Sequence, residues 1–123
     1  MKSASQARTV LCVGNVHGRW AWLASILLSR QPDVCLCAGD FGWFPRLIQP
    51  PSLALPREVL GRTEIRVCDG NHEDHSSLLA SAPRGSFEPV ELAPGIVYQP
   101  RGSTMDQADG SRVLFAGGAK SVE

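Results

Sequence analysis

The chain has 123 residues, 43% of them apolar and 20% charged, the makeup of an ordinary globular protein with one modest core. Twelve basic residues balance twelve acidic ones, so no net field recruits nucleic acid or an anionic membrane surface. The opening MKSASQARTV carries no apolar signal core, and the longest apolar stretch, roughly Trp20 to Leu28, falls far short of the ~20 residues of a spanning helix. A single cytoplasmic domain over residues 1–123, with no membrane partner, is the expectation.

In chain order, "TVLCVGNVHG" (Thr9 to Gly18), "DVCLCAGDFG" (Asp33 to Gly42), "IRVCDGNHED" (Ile65 to Asp74) and "RVLFAGGAKS" (Arg112 to Ser121) share one pattern. Each is a short apolar run followed by Gly and polar residues. Runs of this kind predict strands buried on both faces in an α/β layer structure, with the polar residues at the strands' carboxyl ends. Between the first two, "RWAWLASILLSR" sets Trp20, Leu23, Ala24 and Leu27 on one helical face, and Gln31-Pro32 ends that helix. The resulting βαβ unit gathers its polar loops at one crevice. Pro45, Pro50, Pro51 and Pro56 make the next stretch an irregular excursion at the crevice rim, read either as a substrate contact or, in preference, as a packed connection in which Trp43 and Phe44 fill core. "EDHSSLLASA" then reads as a short helix ended by Pro83, "GIVYQP" as a β-prone run, and Asp109-Gly110 as a hairpin turn.

Cys12, Cys35, Cys37 and Cys68 lie in the apolar runs and read as free, buried thiols. A structural zinc site is disfavoured because Cys35 and Cys37 are one residue apart and no paired CxxC knuckle exists. The polar loops are more telling. Asn15 and His17 follow the first run, Asp40 the second, and Asn71 and His72 the third. Imidazole, carboxylate and amide oxygen suit hard to borderline cations, and Gly14, Gly18, Gly39 and Gly70 permit the tight turns that bring such groups together.

"GNVHG", "GDFGW" and "GNHED", in this order and each after a strand, resemble the motifs of the calcineurin-like metallophosphoesterases, in which they run GDxHG, GDxxD or GDxxG, and GNHE or GNHD. "FAGGAKSVE" is similar to the GGAxS segment of bacterial and phage-type members, so the resemblance spans Leu11 to Glu123. It implies a four-layer αββα sandwich whose crevice holds two divalent metal ions (Mn, Fe or Zn) and hydrolyses phosphate esters by a metal-activated hydroxide. It further implies that Asn15, His17, Asp40 and Asn71 are metal ligands, Asp40 bridging the two ions, and that His72 is the general acid for the leaving group. Ions about 3.5–4 Å apart stabilise both attacking and leaving oxygens. Glu73, Asp74 and His75 are read as helix-start and supporting residues rather than ligands.

Two departures accompany the resemblance. Asn15 stands where the family has Asp, which removes one anionic ligand and implies weaker binding of the first ion. The family's later GH and GHxH ligands have no counterpart, because the histidines are His17, His72 and His75 alone. The chain therefore reads as the first part of the sandwich, truncated, with apolar sheet surface left open to self-association or a complementing chain. Two functions are compatible with this: a phosphoesterase acting on phosphate ester substrates, with nucleic acid a partner only as substrate, or a catalytically degenerate fragment that binds another chain. Three other motifs fail. His72 and His75 are three apart rather than the four of HExxH, Ala119 breaks a P-loop match, and no GxGxxG follows the first run.

Overall fold

The apolar runs pair side by side. The computed structural model describes residues 9–42, 55–70, 73–81 and 86–117. In chain order these form β1 (Val10–Val13), α1 (Trp20–Arg30), β2 (Val34–Ala38), α2 (Arg57–Leu60), β3 (Glu64–Cys68), α3 (His75–Ser81), β4 (Val90–Ala93), β5 (Ile96–Tyr98), β6 (Thr104–Asp106) and β7 (Arg112–Leu114). A five-stranded sheet runs β1-β2-β3-β5-β4, in which β1, β2, β3 and β5 are mutually parallel and β4 lies antiparallel on β5. The fold is thus mixed α/β with a mostly parallel sheet, as the alternation of runs predicts.

Register explains the core. Leu11, Cys35, Ile65 and Ile96 are aligned across four strands, and Val13, Cys37, Val67 and Tyr98 form the next row on the same face. Against this face α1 buries Trp20, Leu23, Ala24 and Leu27, the i, i+3, i+4, i+7 spacing of one helical stripe. Gln31 ends the helix in the left-handed region at φ 50°, and its N–H donates to the Leu27 carbonyl at 2.8 Å. On the opposite face, Val34 and Leu36 pack against Met105 and Phe115 from the β6–β7 hairpin, which turns through Gly110 at φ 89°.

Three expectations need correction. The "RVLFAGG" run is not a strand of the parallel sheet: the Asp109-Gly110 turn folds β7 back on β6, and the pair forms a separate antiparallel ribbon. Nor is β1 buried on both faces. It is an edge strand, and the hairpin seated on Val34 and Leu36 leaves Val10 and Cys12 exposed. Cys12 is therefore a free surface thiol, whereas Cys35 and Cys37 are the buried free thiols anticipated and Cys68 is partly covered. The hydrogen bond with Cys35, and after it burial, pushes the Cys37 thiol well above its ordinary pKa. Most of the proline-rich excursion, with Trp43, Phe44, Pro45, Pro50 and Pro51, lies outside the described residues. It ends in buried Leu55 and the single turn of α2 after Pro56. Among the described residues no helix is long and apolar enough to cross a membrane.

Candidate active site

The candidate ligands lie at the carboxyl ends of adjacent parallel strands. After β1, Val16 is fully buried, and the residues on either side of it, Asn15 and His17, take left-handed backbone angles of 55° and 49° in φ. Anchoring Val16 in the core turns both neighbouring side chains outward. After β2, Asp40 is left-handed as well, at φ 51°, while the next residue, Phe41, is fully buried with its ring 4.8 Å from that of Trp20. Such angles in non-glycine residues are uncommon and cost on the order of 1–3 kcal/mol each, so they persist only where the surroundings impose them. Three of the four described non-glycine residues with positive φ are the residues the sequence marks as ligands.

Hydrogen bonds lace the loops together. The His17 N–H donates to the Asp40 carbonyl at 2.8 Å, and the Gly18 N–H to the Phe41 carbonyl at 2.9 Å. This brings His17 Nε2 to 3.9 Å from Asp40 Oδ2, with the imidazole about half exposed and the carboxylate largely covered. The β3 loop closes on the same spot: a Cβ on Gly70 would collide with both the carboxylate and the backbone nitrogen of Asp40. Only glycine permits that approach. Asn71, directly after Gly70, and His72 lie outside the described residues.

Glu73 holds these loops. Its buried carboxylate accepts the N–H groups of Phe41 at 3.1 Å, Gly42 at 2.9 Å and Gly70 at 3.2 Å, tying the β2 loop to the β3 loop. Asp74 caps α3 through Ser77, whose hydroxyl donates to it at 2.8 Å. Neighbouring Asp69 is 2% exposed and accepts from the Tyr98 hydroxyl at 3.0 Å, Arg101 Nε at 2.9 Å and Arg101 Nη2 at 2.7 Å. His75 Nδ1 lies 3.9 Å from the same carboxylate. Burial, with the Asp69 charge beside it, pushes the Tyr98 phenol above its ordinary pKa, and the bond to Asp69 holds Arg101 more firmly protonated.

The sequence reading assigns no role to the Asp69, Tyr98 and Arg101 cluster, and it gives Glu73 a supporting role without its bridging of two loops. The first has no spacing signature, because it depends on β3 and β5 being neighbours. The second had a partial signal in the crowding of acids after Gly70. Among the described residues no group of three or more His, Cys, Asp or Glu side chains is arranged to hold an ion. The described part of the expected ligand set is the pair His17 and Asp40 with the amide of Asn15 on the same loop. Nitrogen and oxygen donors of this kind suit a divalent cation.

No family model matches the chain, and a search of curated proteins finds no match either.

Proposed function

We propose that this chain is built as the first part of a calcineurin-like metallophosphoesterase sandwich and hydrolyses phosphate mono- or diesters with divalent metal ions. The observation carrying the reading is the strained, laced arrangement of Asn15, His17 and Asp40 at the ends of two parallel strands, with Gly70 pressed on Asp40 just before Asn71. Left-handed backbone at strand ends supports a functional site there, and the three ordered motifs favour a metallophosphoesterase one. The layer order of α1, parallel sheet and β6–β7 ribbon fits the start of an αββα sandwich.

Asn15, His17, Asp40 and Asn71 would hold the ions, which when bound supply a nucleophile at neutral pH and polarise the phosphoryl oxygens. Asp40, fixed through its own carbonyl and by Gly70, would contribute the carboxylate, and His17 an imidazole nitrogen. His72 donates a proton to the leaving oxygen. Glu73 keeps the β2 and β3 loops at fixed separation.

A second reading, a catalytically degenerate module that binds another chain, is favoured by Asn15, whose neutral amide replaces an expected carboxylate. Hydrolysis of p-nitrophenyl phosphate and bis(p-nitrophenyl) phosphate, with Mn²⁺ or with EDTA, separates the two. The phosphoesterase reading predicts Mn²⁺-dependent turnover that falls by roughly 10²–10⁴-fold in His72→Ala. It also predicts that Asn15→Asp tightens Mn²⁺ binding by about tenfold, about 1.4 kcal/mol. Absence of turnover in both the wild type and Asn15→Asp would favour the binding module.

A further inference from the structure

We propose that Arg101, with His75 beside it, forms an anion-binding subsite on the crevice rim that takes a second anionic group of the substrate, such as another phosphate or a carboxylate. Describing the ligand as substrate rests on the phosphoesterase reading; the affinity for anions does not.

The geometry is that of a cation held ready. Asp69 is 2% exposed, and its carboxylate receives the Tyr98 hydroxyl and the side-on pair Nε and Nη2 of Arg101. This arrangement uses one edge of the guanidinium and leaves its Nη1 amino group outside the pair. The Arg101 side chain nevertheless remains 56% exposed. A fixed guanidinium loses little further freedom when it binds an anion, and its planar fork suits phosphate and carboxylate oxygens. His75, the first residue of α3, sits 3.9 Å from Asp69 with its side chain 42% exposed, and so adds a second nitrogen-bearing group to the same rim.

Position supports the assignment. Arg101 follows β5 and Asp40 follows β2, so the two project from the same end of the sheet with β3 between them. Two strand spacings amount to roughly 10 Å, which one small molecule spans. Asp69 also directly precedes Gly70, on which Asp40 lies, so the anchor of the guanidinium and the seat of the carboxylate are consecutive residues. Gly117, leaving the β6–β7 ribbon, approaches Asp69 so closely that a Cβ there would collide with its carboxylate. Gly117 thus crowds the Asp69 carboxylate at Oδ1, while Arg101 holds Oδ2.

The test uses inorganic pyrophosphate as probe, in EDTA so that no metal site contributes, with binding read by calorimetry and by thermal shift. The wild type is expected to bind pyrophosphate, Arg101→Gln to bind at least tenfold more weakly, and Arg101→Lys and His75→Gln to fall between, while Mn²⁺ affinity stays unchanged in all of them. In turnover, Arg101→Gln raises KM for a phosphate ester that carries a second phosphate or a carboxylate, with kcat retained, and leaves KM for p-nitrophenyl phosphate unchanged. Should Arg101→Gln not fold, Arg101→Lys and His75→Gln carry the comparison. Equal pyrophosphate binding in wild type and variants, or none in the wild type, overturns the subsite whatever the outcome of the Mn²⁺ experiments. Pyrophosphate binding lost in Arg101→Gln from a chain that binds no Mn²⁺ upholds it while the phosphoesterase reading fails.

Discussion

Gly70→Ala is expected to abolish tight Mn²⁺ binding and to lower the melting temperature by roughly 5–15 °C, the shift that an overpacking penalty of about 1–3 kcal/mol gives a chain of this size. The added methyl would meet both Oδ1 and the backbone nitrogen of Asp40. The carboxylate can swing aside, but the backbone nitrogen has no such freedom. The carbonyl of Asp40 accepts the His17 N–H, and the next two residues, Phe41 and Gly42, are held by Glu73. The strain therefore passes to the whole β2 loop. Gly14→Ala is the control: its Cβ meets nothing within 4 Å, so it should melt within a degree or two of the wild type. Thermal melts of the two variants side by side make the comparison, and a Gly70→Ala protein that melts and binds Mn²⁺ like the wild type would refute the close approach of the loops.

Glu73→Ala is expected to cost about 3–5 kcal/mol of unfolding free energy, because three backbone N–H groups lose their acceptor at once and each unmet donor costs about 1–3 kcal/mol. The groups belong to Phe41, Gly42 and Gly70, so the loss falls on the two loops that set the position of Asp40. Glu73→Gln keeps the shape and one acceptor oxygen but turns an amide donor toward N–H groups, and should fall between the two. Urea denaturation measures this as a shift of midpoint at constant slope. Mn²⁺ affinity should fall by roughly 10–100-fold in Glu73→Gln, the range for losing a group that orients ligands without touching the ion. A Glu73→Ala midpoint equal to the wild type's would mean that the clamp contributes nothing.

Much of the fold was legible because its elements carry strong local patterns. The α1 stripe of Trp20, Leu23, Ala24 and Leu27 is a helical period that nothing else in the fold opposes, and Gln31 ends it where Pro32 requires. The hairpin turn at Asp109-Gly110 was equally readable, but its consequence for β7 was not drawn. An apolar run before Gly looks the same in a parallel sheet as in a ribbon, and only pairing with Thr104–Asp106 decides between them. Cys12 was misjudged for a related reason. Its run is as apolar as that of β2, yet β1 sits at the sheet edge, beyond the reach of the hairpin.

The candidate site divides along the same line. Asn15 and Asp40 could be read off because each directly follows a strand and a glycine, and His17 because it stands two residues beyond Asn15 in the same loop. That all three are left-handed, and that buried Val16 turns Asn15 and His17 outward while buried Phe41 anchors the loop beside Asp40, is a matter of packing that periodicity does not carry. Arg101 reaches Asp69 across 32 residues of chain through the adjacency of β3 and β5. Glu73 was read as a supporting residue, but its particular task, bridging two loops by their amides, exists only once β2 and β3 lie side by side.

The central claim is that the ends of β1, β2 and β3 form a divalent metal site with Asp40 at its centre. Calorimetric titration of the chain with Mn²⁺, run in parallel on Asp40→Asn, tests it most directly. The account predicts saturable binding approaching two ions in the wild type and loss of tight binding in Asp40→Asn. An isotherm without saturable binding, or one that Asp40→Asn leaves unchanged, would contradict it.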